Sequence, residues 1–523
     1  MKIKLQFVAL VVLSMSVVSL TSAQITTNGT GGGNWSSTST WVGGVVPAGS
    51  ATMTVQATDS LFFDVQVTIT GSLKNLSGRI GVFDSSKVTF GNGGVYEHAV
   101  NGSPIPKVTW GTGSTCLISG VTANAPSNGN QNFYNLTWNC PGQTSSVNLG
   151  WNGLTIGGDV NVLNTGTATY FRFTSNAFGQ STSAPNVITI NGNLNISGNS
   201  YCTATGSGAP THYIQVIVNG NVTDTASATS AFQLGNGSGG QVAWKVKGNV
   251  TTMPGTGGTF TTNSTASVPD TLFFAGTGVQ TFKNSVASLS NIKIVVNPDC
   301  TLTMDTTNMG ASSSTTFALS PGATFICSHP SGLNGNLTGS GAKTLDTTAS
   351  YGFYATSAQV TGALLPATVK DLTINNSSGV TLTQTTKING VLHLKAGQFD
   401  NTIAFTLGPS GSIVNEGGTL KIPFTAVEQP EQGAVPQTFF VDQNYPNPFN
   451  PSTVIRFGIP NATHVSLKIY DALGREIAEL ANEQYSAGTY TVPWNAIGVA
   501  SGVYYARLVA GDFVAMKKLA LVK

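Results

Sequence analysis

The sequence predicts an all-β protein, in which a parallel β-helix (solenoid) is followed by a small antiparallel β-sandwich. Charged side chains make up only 8% of the 523 residues, against about a quarter in an average soluble protein. Short segments with apolar residues at every second position recur along most of the chain, which is the period of a strand. Between residues 24 and 440 no convincing helical period appears. Low charge, strand periodicity and the absence of helix signals together give the fold class.

The first 23 residues have the order of a secretory signal peptide. Lys2 and Lys4 precede an apolar run over residues 5–20, and small residues end the segment at Ala23. This run is shorter than the roughly 20 residues that span a membrane. We expect cleavage between Ala23 and Gln24, and no transmembrane segment in the mature chain.

Residues 24–425 form the predicted solenoid body. The dipeptides Asn191-Gly192, Asn219-Gly220 and Lys247-Gly248 follow one another at a constant interval, each between alternating apolar positions. Units of this length cannot bury an apolar face alone and therefore stack. A string of β-sandwiches is the alternative, but low charge favours a solenoid because like charges would face each other between coils. The sequence leaves open whether this body is one domain or is broken near residue 125 or 265.

Five cysteines lie in this body, at positions 116, 140, 202, 300 and 327. No CxxC pair is present, which argues against zinc and thioredoxin-like sites. The spacings 116/140 and 300/327 are close to one solenoid coil, so stacked disulfides and small buried residues are both open interpretations.

The body carries no recognisable catalytic or metal-binding motif, and we expect no cofactor and no metal site. The best carboxylate set is Asp346, Asp371 and Asp400, whose two similar spacings could stack them at one coil interval. Glycoside hydrolysis needs two carboxylates about 5–10 Å apart, so these three are weak catalytic candidates. Turn or cap residues are the favoured interpretation. The tryptophans could stack on sugars or fill the solenoid interior, and the second role is favoured.

Composition changes after a linker predicted at residues 426–440. Residues 441–523 carry 13 charged side chains in 83 residues, about twice the density of the body. Six or seven short alternating strands separated by glycine turns predict a small immunoglobulin-like β-sandwich. The prolines at 446, 448 and 451 give its entry segment a rigid extended shape.

Several ordered motifs in this segment carry a family resemblance. It resembles the C-terminal sorting domain of proteins exported by the type IX secretion system, found in the Bacteroidetes and related phyla. The matching positions are Tyr445, Pro446, Asn447, Pro448, Phe449, Gly474, Gly502, Tyr504 and Lys517. The resemblance implies an extracellular or outer-membrane-surface location, with the outer-membrane secretion and sortase machinery as partners. Members are commonly cleaved before the domain and released or attached to surface lipopolysaccharide.

A second resemblance covers the start of the body. The segments 33–41 and 43–47, rich in glycine, serine and tryptophan, are similar to the opening of large uncharacterised secreted surface proteins. No activity follows from this resemblance.

The sequence therefore predicts a secreted, non-catalytic, adhesin-like or structural surface protein, with surface lipopolysaccharide or glycans as candidate ligands. A secreted carbohydrate-active enzyme, either a polysaccharide lyase or a glycosidase on the same β-helix, is the alternative. A net charge of +2 with few basic residues gives no electrostatic footprint for nucleic acid.

Overall fold

The computed structural model describes residues 24–522, apart from 78, 83, 168, 175–178, 182–183, 207–212, 226–230, 237–240, 254–258, 263–268, 286–288, 290, 311–314 and 424–435. The predicted signal peptide, including Ala23, lies outside the described residues. So do positions 426–435 of the predicted linker and the candidate break near residue 265. The chain forms two compact units. One contains the described residues up to Thr174 together with Val187–Thr203, and the other contains the described residues among 179–186 and those from Ala204 onward.

The first unit is a stack of coils joined by parallel strand pairing. Its principal sheet runs through Ile25–Thr26, Thr52–Val55, Ser72–Asn75, Val95–His98, Thr115–Ile118, Asn135–Asn139, Val160–Asn164 and Leu194–Asn199. Smaller parallel groups are Gly32–Asn34, Ser60–Phe63 and Ile80–Val82; Val67–Ile69, Val88–Phe90 and Thr109–Trp110; Val147–Asn148 and Phe171–Thr174; and Thr155–Ile156 with the last residues of Ala184–Ile190. Short 3-10 turns cover Thr38–Thr40 and Ser85–Lys87.

Period-two apolar residues build the interior of this stack. Met53, Leu73, Tyr96, Cys116 and Leu136 stand directly above one another in successive strands, and all five are fully buried. Successive side chains of a strand point to opposite faces, so the residues between them face outward. One inward position per coil thus builds a continuous apolar column.

The second unit also consists of stacked coils with parallel strand pairing. Its principal sheet contains Val222–Asp224, Val250–Thr252, Val279–Asn284, Thr301–Met304, Thr324–Cys327, Ser350–Phe353, Leu372–Asn375, Val391–Ala396 and Ser412–Asn415. A second sheet contains Tyr213–Val218, Gln241–Val246, Thr271–Phe274, Lys293–Val296, Thr316–Leu319 and Lys343–Leu345. Further parallel groups are Ala231–Gln233 and Thr259–Thr261; Gln359–Val360, Val380–Thr381, Gln398–Asp400 and Thr419–Leu420; and Thr368–Val369, Thr386–Ile388 and Phe405–Leu407.

Three other elements complete the body. Gly179–Ser181 pairs antiparallel with the start of Ala184–Ile190, Tyr201–Thr205 is a further strand, and Leu333–Asn336 is a single helical turn.

Residues 440–521 fold as a sandwich of two antiparallel sheets. One sheet consists of Phe440–Val441, Ser452–Ile459 and Gly488–Asn495, and the other of Glu476–Tyr485, Thr463–Asp471, Gly502–Ala510 and Phe513–Leu521. Alternate residues of both sheets, including Phe457 and Leu467, form one shared apolar core. The predicted order of a parallel solenoid followed by a small antiparallel sandwich is confirmed.

Candidate functional site

The entry segment of the sandwich is fixed by a buried amide. Asn444 Nδ2 donates to the carbonyl oxygen of Pro446 at 3.0 Å and to Thr453 Oγ1 at 2.8 Å. Both the Tyr445–Pro446 and the Asn447–Pro448 peptide bonds are cis. Tyr445 itself points outward and is 82% exposed, so it is available to a partner.

The second half of this motif covers the edge of the last strand. Asn447 Nδ2 donates to the carbonyl of Lys518 at 3.1 Å, and Asn447 Oδ1 accepts the amide of Ala520 at 2.8 Å. The amide of Phe449 donates to Ala520, and that of Val522 donates to Phe449, both at 2.9 Å. A free strand edge can pair with foreign chains, so Asn447 and Phe449 close part of the edge while linking the start of the domain to its end.

Phe449 and Tyr504 belong to the core. The Phe449 ring lies 5.3 Å from that of Trp494, which lies 5.5 Å from that of Tyr504. The Tyr504 hydroxyl donates to the Ala500 carbonyl at 2.6 Å. These two motif residues therefore stabilise the fold rather than offer a surface.

The remaining motif positions lie on the four-stranded sheet, with Gly474 and Gly502 at the same end as the last residues of the final strand. Gly474 has φ +80°, as the tight turn after Asp471 requires. Asp471 Oδ2 accepts Arg475 Nε at 2.7 Å, which pins this turn. Gly502 opens the strand that pairs with the last one, and Lys517 is half-buried within that last strand.

A shallow pocket of about 380 Å³ lies beside this turn. Tyr470, Gly474, Tyr505, Arg507 and Met516 are among its lining residues. The pocket was not predicted from the sequence. Only the pairing of three strands and a turn brings these residues together.

In the body, Asp371 is held by two hydrogen bonds. Its Oδ1 accepts the amide of Val391 at 2.8 Å, and its Oδ2 accepts the hydroxyl of Ser350 at 2.9 Å. Both partners stand one coil away, on either side of Asp371. Its carboxylate thus joins three successive coils.

Asp346 and Asp400 each close a local turn. Asp346 Oδ1 accepts the amide of Thr348 at 2.7 Å, and Asp400 Oδ1 accepts that of Thr402 at 3.1 Å. Asp400 Oδ2 also meets Lys421 Nζ at 2.6 Å, and this contact, with hydrogen bonds from Thr402, lowers the pKa of Asp400 to about 2. The lowered pKa makes Asp400 unlike a general acid, which needs a raised pKa.

These three carboxylates do not stack as their spacing suggested. In this part of the body the principal sheet pairs Tyr351 with Leu372, and Leu372 with Leu392. Each coil is therefore shorter than either interval between the aspartates. Asp400 instead pairs with Thr381 in a different sheet from the one that Asp371 adjoins. The structure does not bring the trio together, and a catalytic role for any of them stays an untested hypothesis.

Asp371 is one member of a recurring device that we call the corner ladder. At each step, an Asn or Asp side-chain oxygen accepts a backbone amide one coil further on. In the first unit Asn135 Oδ1 accepts the backbone amide of Asp159 at 2.9 Å, and Asp159 Oδ1 accepts the backbone amide of Asn193 at 2.7 Å. In the second unit Asn249 accepts from Thr281 at 2.7 Å.

Glycines make room for these oxygens. A Cβ placed on Gly158, Gly192 or Gly390 would lie 2.2–2.3 Å from the ladder oxygen of Asn135, Asp159 or Asp371 respectively. Gly192, which belongs to one of the repeated dipeptides of the sequence, therefore marks a ladder step. The sequence showed the signal but not its role.

The cysteines are buried with free thiols. Cys116 lies opposite Leu136 rather than Cys140, and Cys327 lies opposite Met304 rather than Cys300. The proposed 116/140 and 300/327 pairs are thus out of register. Burial raises the pKa of Cys116, which makes it an unreactive thiol.

Five of the seven tryptophans lie buried in the body, and they are Trp35, Trp41, Trp138, Trp151 and Trp244. Within the described part of the chain, no group of three or more His, Cys, Asp or Glu side chains is placed to hold a metal ion. Among the same residues, no helix has the length and apolar character of a membrane span.

Comparison with known proteins identifies the C-terminal segment. Residues 443–522 match the family described as the secretion system C-terminal sorting domain. No curated protein and no solved structure matches the chain. Residues 443–522 are therefore a type IX C-terminal sorting domain, which marks this chain as a secreted protein, exported to the cell exterior or the outer-membrane surface.

Proposed function

We propose that the solenoid body is the exported cargo and acts as a non-catalytic, adhesin-like or structural component at the cell surface. The observation that carries the proposal is the use of its polar side chains. The carboxylates that could have formed an active site hold coils together or close turns, as Asp371 and Asp400 do. The body thus uses its acidic groups to hold its own shape.

Outward columns of hydroxyl groups support a contact function. Thr301, Thr324 and Ser350 stand one coil apart on the outward side of the principal sheet of the second unit. Each is half-buried, and because the hydroxyl of Ser350 already donates to Asp371, the column offers the hydroxyls of Thr301 and Thr324. Rows of neutral donors and acceptors at the spacing of strands, about 4.8 Å, suit a polysaccharide or another protein surface better than a charged ligand.

The experiment uses the exported protein with a panel of polysaccharides that includes lipopolysaccharide. Bound protein and newly formed reducing or unsaturated ends are measured together. Binding without turnover supports an adhesin. The absence of both binding and turnover supports a purely structural component. Turnover would contradict the proposal in favour of a carbohydrate-active enzyme.

A matched variant tests the hydroxyl column. Thr301→Val with Thr324→Val keeps the β-branched shape and the stack but removes two hydroxyls. We expect polysaccharide binding to fall while the melting temperature stays near that of the unaltered protein. The control Thr489→Val lies on the sandwich and should leave binding unchanged.

A further inference from the structure

The two outward faces of the sorting domain differ in character. The exposed residues on the outer face of the three-stranded sheet are polar, and they are Arg456, Thr491 and Asn495. On the outer face of the four-stranded sheet, Val503 is 37% exposed, Val514 52% and Met516 53%. Exposed apolar side chains on one face of a small domain mark an interaction surface.

The pocket lies on this apolar face. Tyr470 pairs directly with Tyr505 across two strands, and Arg507 pairs with Met516 across the next two. Leu473, at the tip of the adjoining turn, is 80% exposed. Tyr, Met and Arg are the residue types enriched in the energetic centres of protein interfaces.

The acidic groups around the pocket are engaged by other cations and leave Arg507 available. Lys468, the strand neighbour of Arg507, is held by Glu476 at 3.0 Å and Glu479 at 2.8 Å. Asp471 is engaged by Arg475. Among the described residues, Arg507 has no ion pair, although it is exposed at the pocket.

We propose that this pocket docks an acidic segment of a protein of the export machinery, with a partner carboxylate on Arg507 and apolar partner side chains on Met516 and Val514. An arginine guanidinium can take a carboxylate through two parallel hydrogen bonds. The Tyr470 and Tyr505 side chains flank the position that this carboxylate occupies. Tyr445 lies outside the pocket and is not part of it.

The test expresses full-length variants in the producing bacterium. Surface display is measured by protease accessibility on intact cells, and retention by the periplasmic fraction. We expect Arg507→Glu to lower display about tenfold or more, Arg507→Gln to lower it less, and Arg507→Lys to keep most of it. The control Ile497→Ser alters a 65% exposed residue outside the pocket and should display normally.

Two further measurements keep the outcome decisive. Melting curves of the purified variants should match that of the unaltered protein, because Arg507 is exposed and outside the core. A selection for restored display of Arg507→Glu should return acid-to-base changes in an envelope protein. Deletion of residues 441–523, as the positive control, should retain the protein in the periplasm.

Display of Arg507→Glu within twofold of the unaltered chain would overturn the proposal. Equal losses of surface display for Arg507→Lys and Arg507→Glu would overturn the proposed contact between Arg507 and a partner carboxylate. A lipid headgroup is the competing occupant. If Arg507→Glu abolished binding to lipopolysaccharide vesicles but left export unchanged, that result would replace the proposed protein partner.

Discussion

Asp270 is a buried carboxylate in the second unit whose ionisation opposes folding at neutral pH. It is fully buried, and its Oδ1 accepts the amide of Val242 at 2.8 Å. Its Oδ2 meets the hydroxyl of Thr262, which also lies 3.1 Å from the carbonyl oxygen of Gly235. Burial raises the pKa of Asp270 from 3.8 to about 6, although these two hydrogen bonds act in the opposite direction. The protonated form fits this site, because Oδ2–H can donate to Thr262 while Thr262 donates to Gly235.

The size of the effect follows from linkage. A pKa raised from 3.8 to about 6 corresponds to about 3 kcal/mol, at about 1.4 kcal/mol per pH unit. Because the folded state binds this proton more tightly than the unfolded state, the contribution of Asp270 is most favourable below pH 3.8. It is lost as the pH rises through 6. We therefore expect Asp270→Asn to raise the free energy of unfolding by up to about 3 kcal/mol at pH 7.5, and by almost nothing near pH 4.

The assay is the difference in thermal and denaturant unfolding between Asp270→Asn and the unaltered chain, measured from pH 4 to pH 8. Hydrogen exchange in Gln241–Val246 and Thr271–Phe274 locates any change, which matters because a chain of two units need not unfold in one step. Destabilisation at pH 7.5, or a gain that does not shrink toward pH 4, would refute the reasoning.

Asp59 provides the matched control. It is equally inaccessible to solvent, but its two oxygens accept the amides of Gly29 and Gly31, both at 2.8 Å. Burial acts to raise the pKa of Asp59, yet hydrogen bonds from Thr27, Gly31 and Gly29 keep it below its ordinary value. Asp59→Asn would point an amide N–H at a backbone N–H. It should therefore cost about 1–3 kcal/mol at pH 7.5.

The remaining predictions concern the body. Tyr96→Phe removes the hydroxyl 3.0 Å from His98 Nδ1 and should lower the free energy of unfolding by about 1–3 kcal/mol, measured by denaturant titration. Because burial lowers the pKa of His98, the stability that neutral His98 contributes should be lost as the pH falls below 6.5. The difference in free energy of unfolding between His98→Phe and the unaltered chain, measured across that pH range, checks this prediction. Asp371→Asn keeps the ladder acceptor and should melt near the unaltered chain, whereas Asp371→Ala should cost about 1–2 kcal/mol; equal melting of the two would contradict the ladder. Thr301→Lys with Thr324→Lys places like charges one coil apart and should be about 0.2–1 kcal/mol less stable than Thr301→Lys with Thr324→Glu.

The sequence was sufficient for the fold because its main signals are local. Alternating apolar positions, with glycine at the corners, specify strands and turns wherever they occur in the stack. The interval from Gly220 to Gly248 in the sequence corresponds to one coil of the structure, in which the amide of Gly248 donates to the carbonyl of Gly220 at 3.0 Å. The sandwich was predicted in the same way.

The arrangement of side chains across coils was not predictable, because coil length varies. Met53 pairs with Leu73 across a short coil, whereas Val160 pairs with Leu194 across a much longer one. A fixed interval therefore fails for any set of distant residues, which is why the aspartate trio and the cysteine pairs are out of register. The pocket at Arg507 was missed for a related reason, since three strands and a turn must pair before it exists.

The low charge of the body follows from the same geometry, and some of its ion pairs illustrate how. In a parallel stack each outward side chain has neighbours one coil above and below, so like charges repeated along a column would repel one another. Lys74 and Glu97 are directly opposite in adjacent strands and meet at 2.8 Å. Glu416, on the last coil, meets both His393 at 2.8 Å and Lys395 at 3.5 Å on the preceding one. Such exposed pairs contribute only about 0–1 kcal/mol each, so they add little net stability. They show one way in which the stack tolerates a charge, with its opposite one coil away; Lys387 shows another, since its neighbours Thr368 and Thr406 are uncharged. Uncharged Thr, Ser and Asn need no such partner, and this freedom explains their abundance in the outward columns.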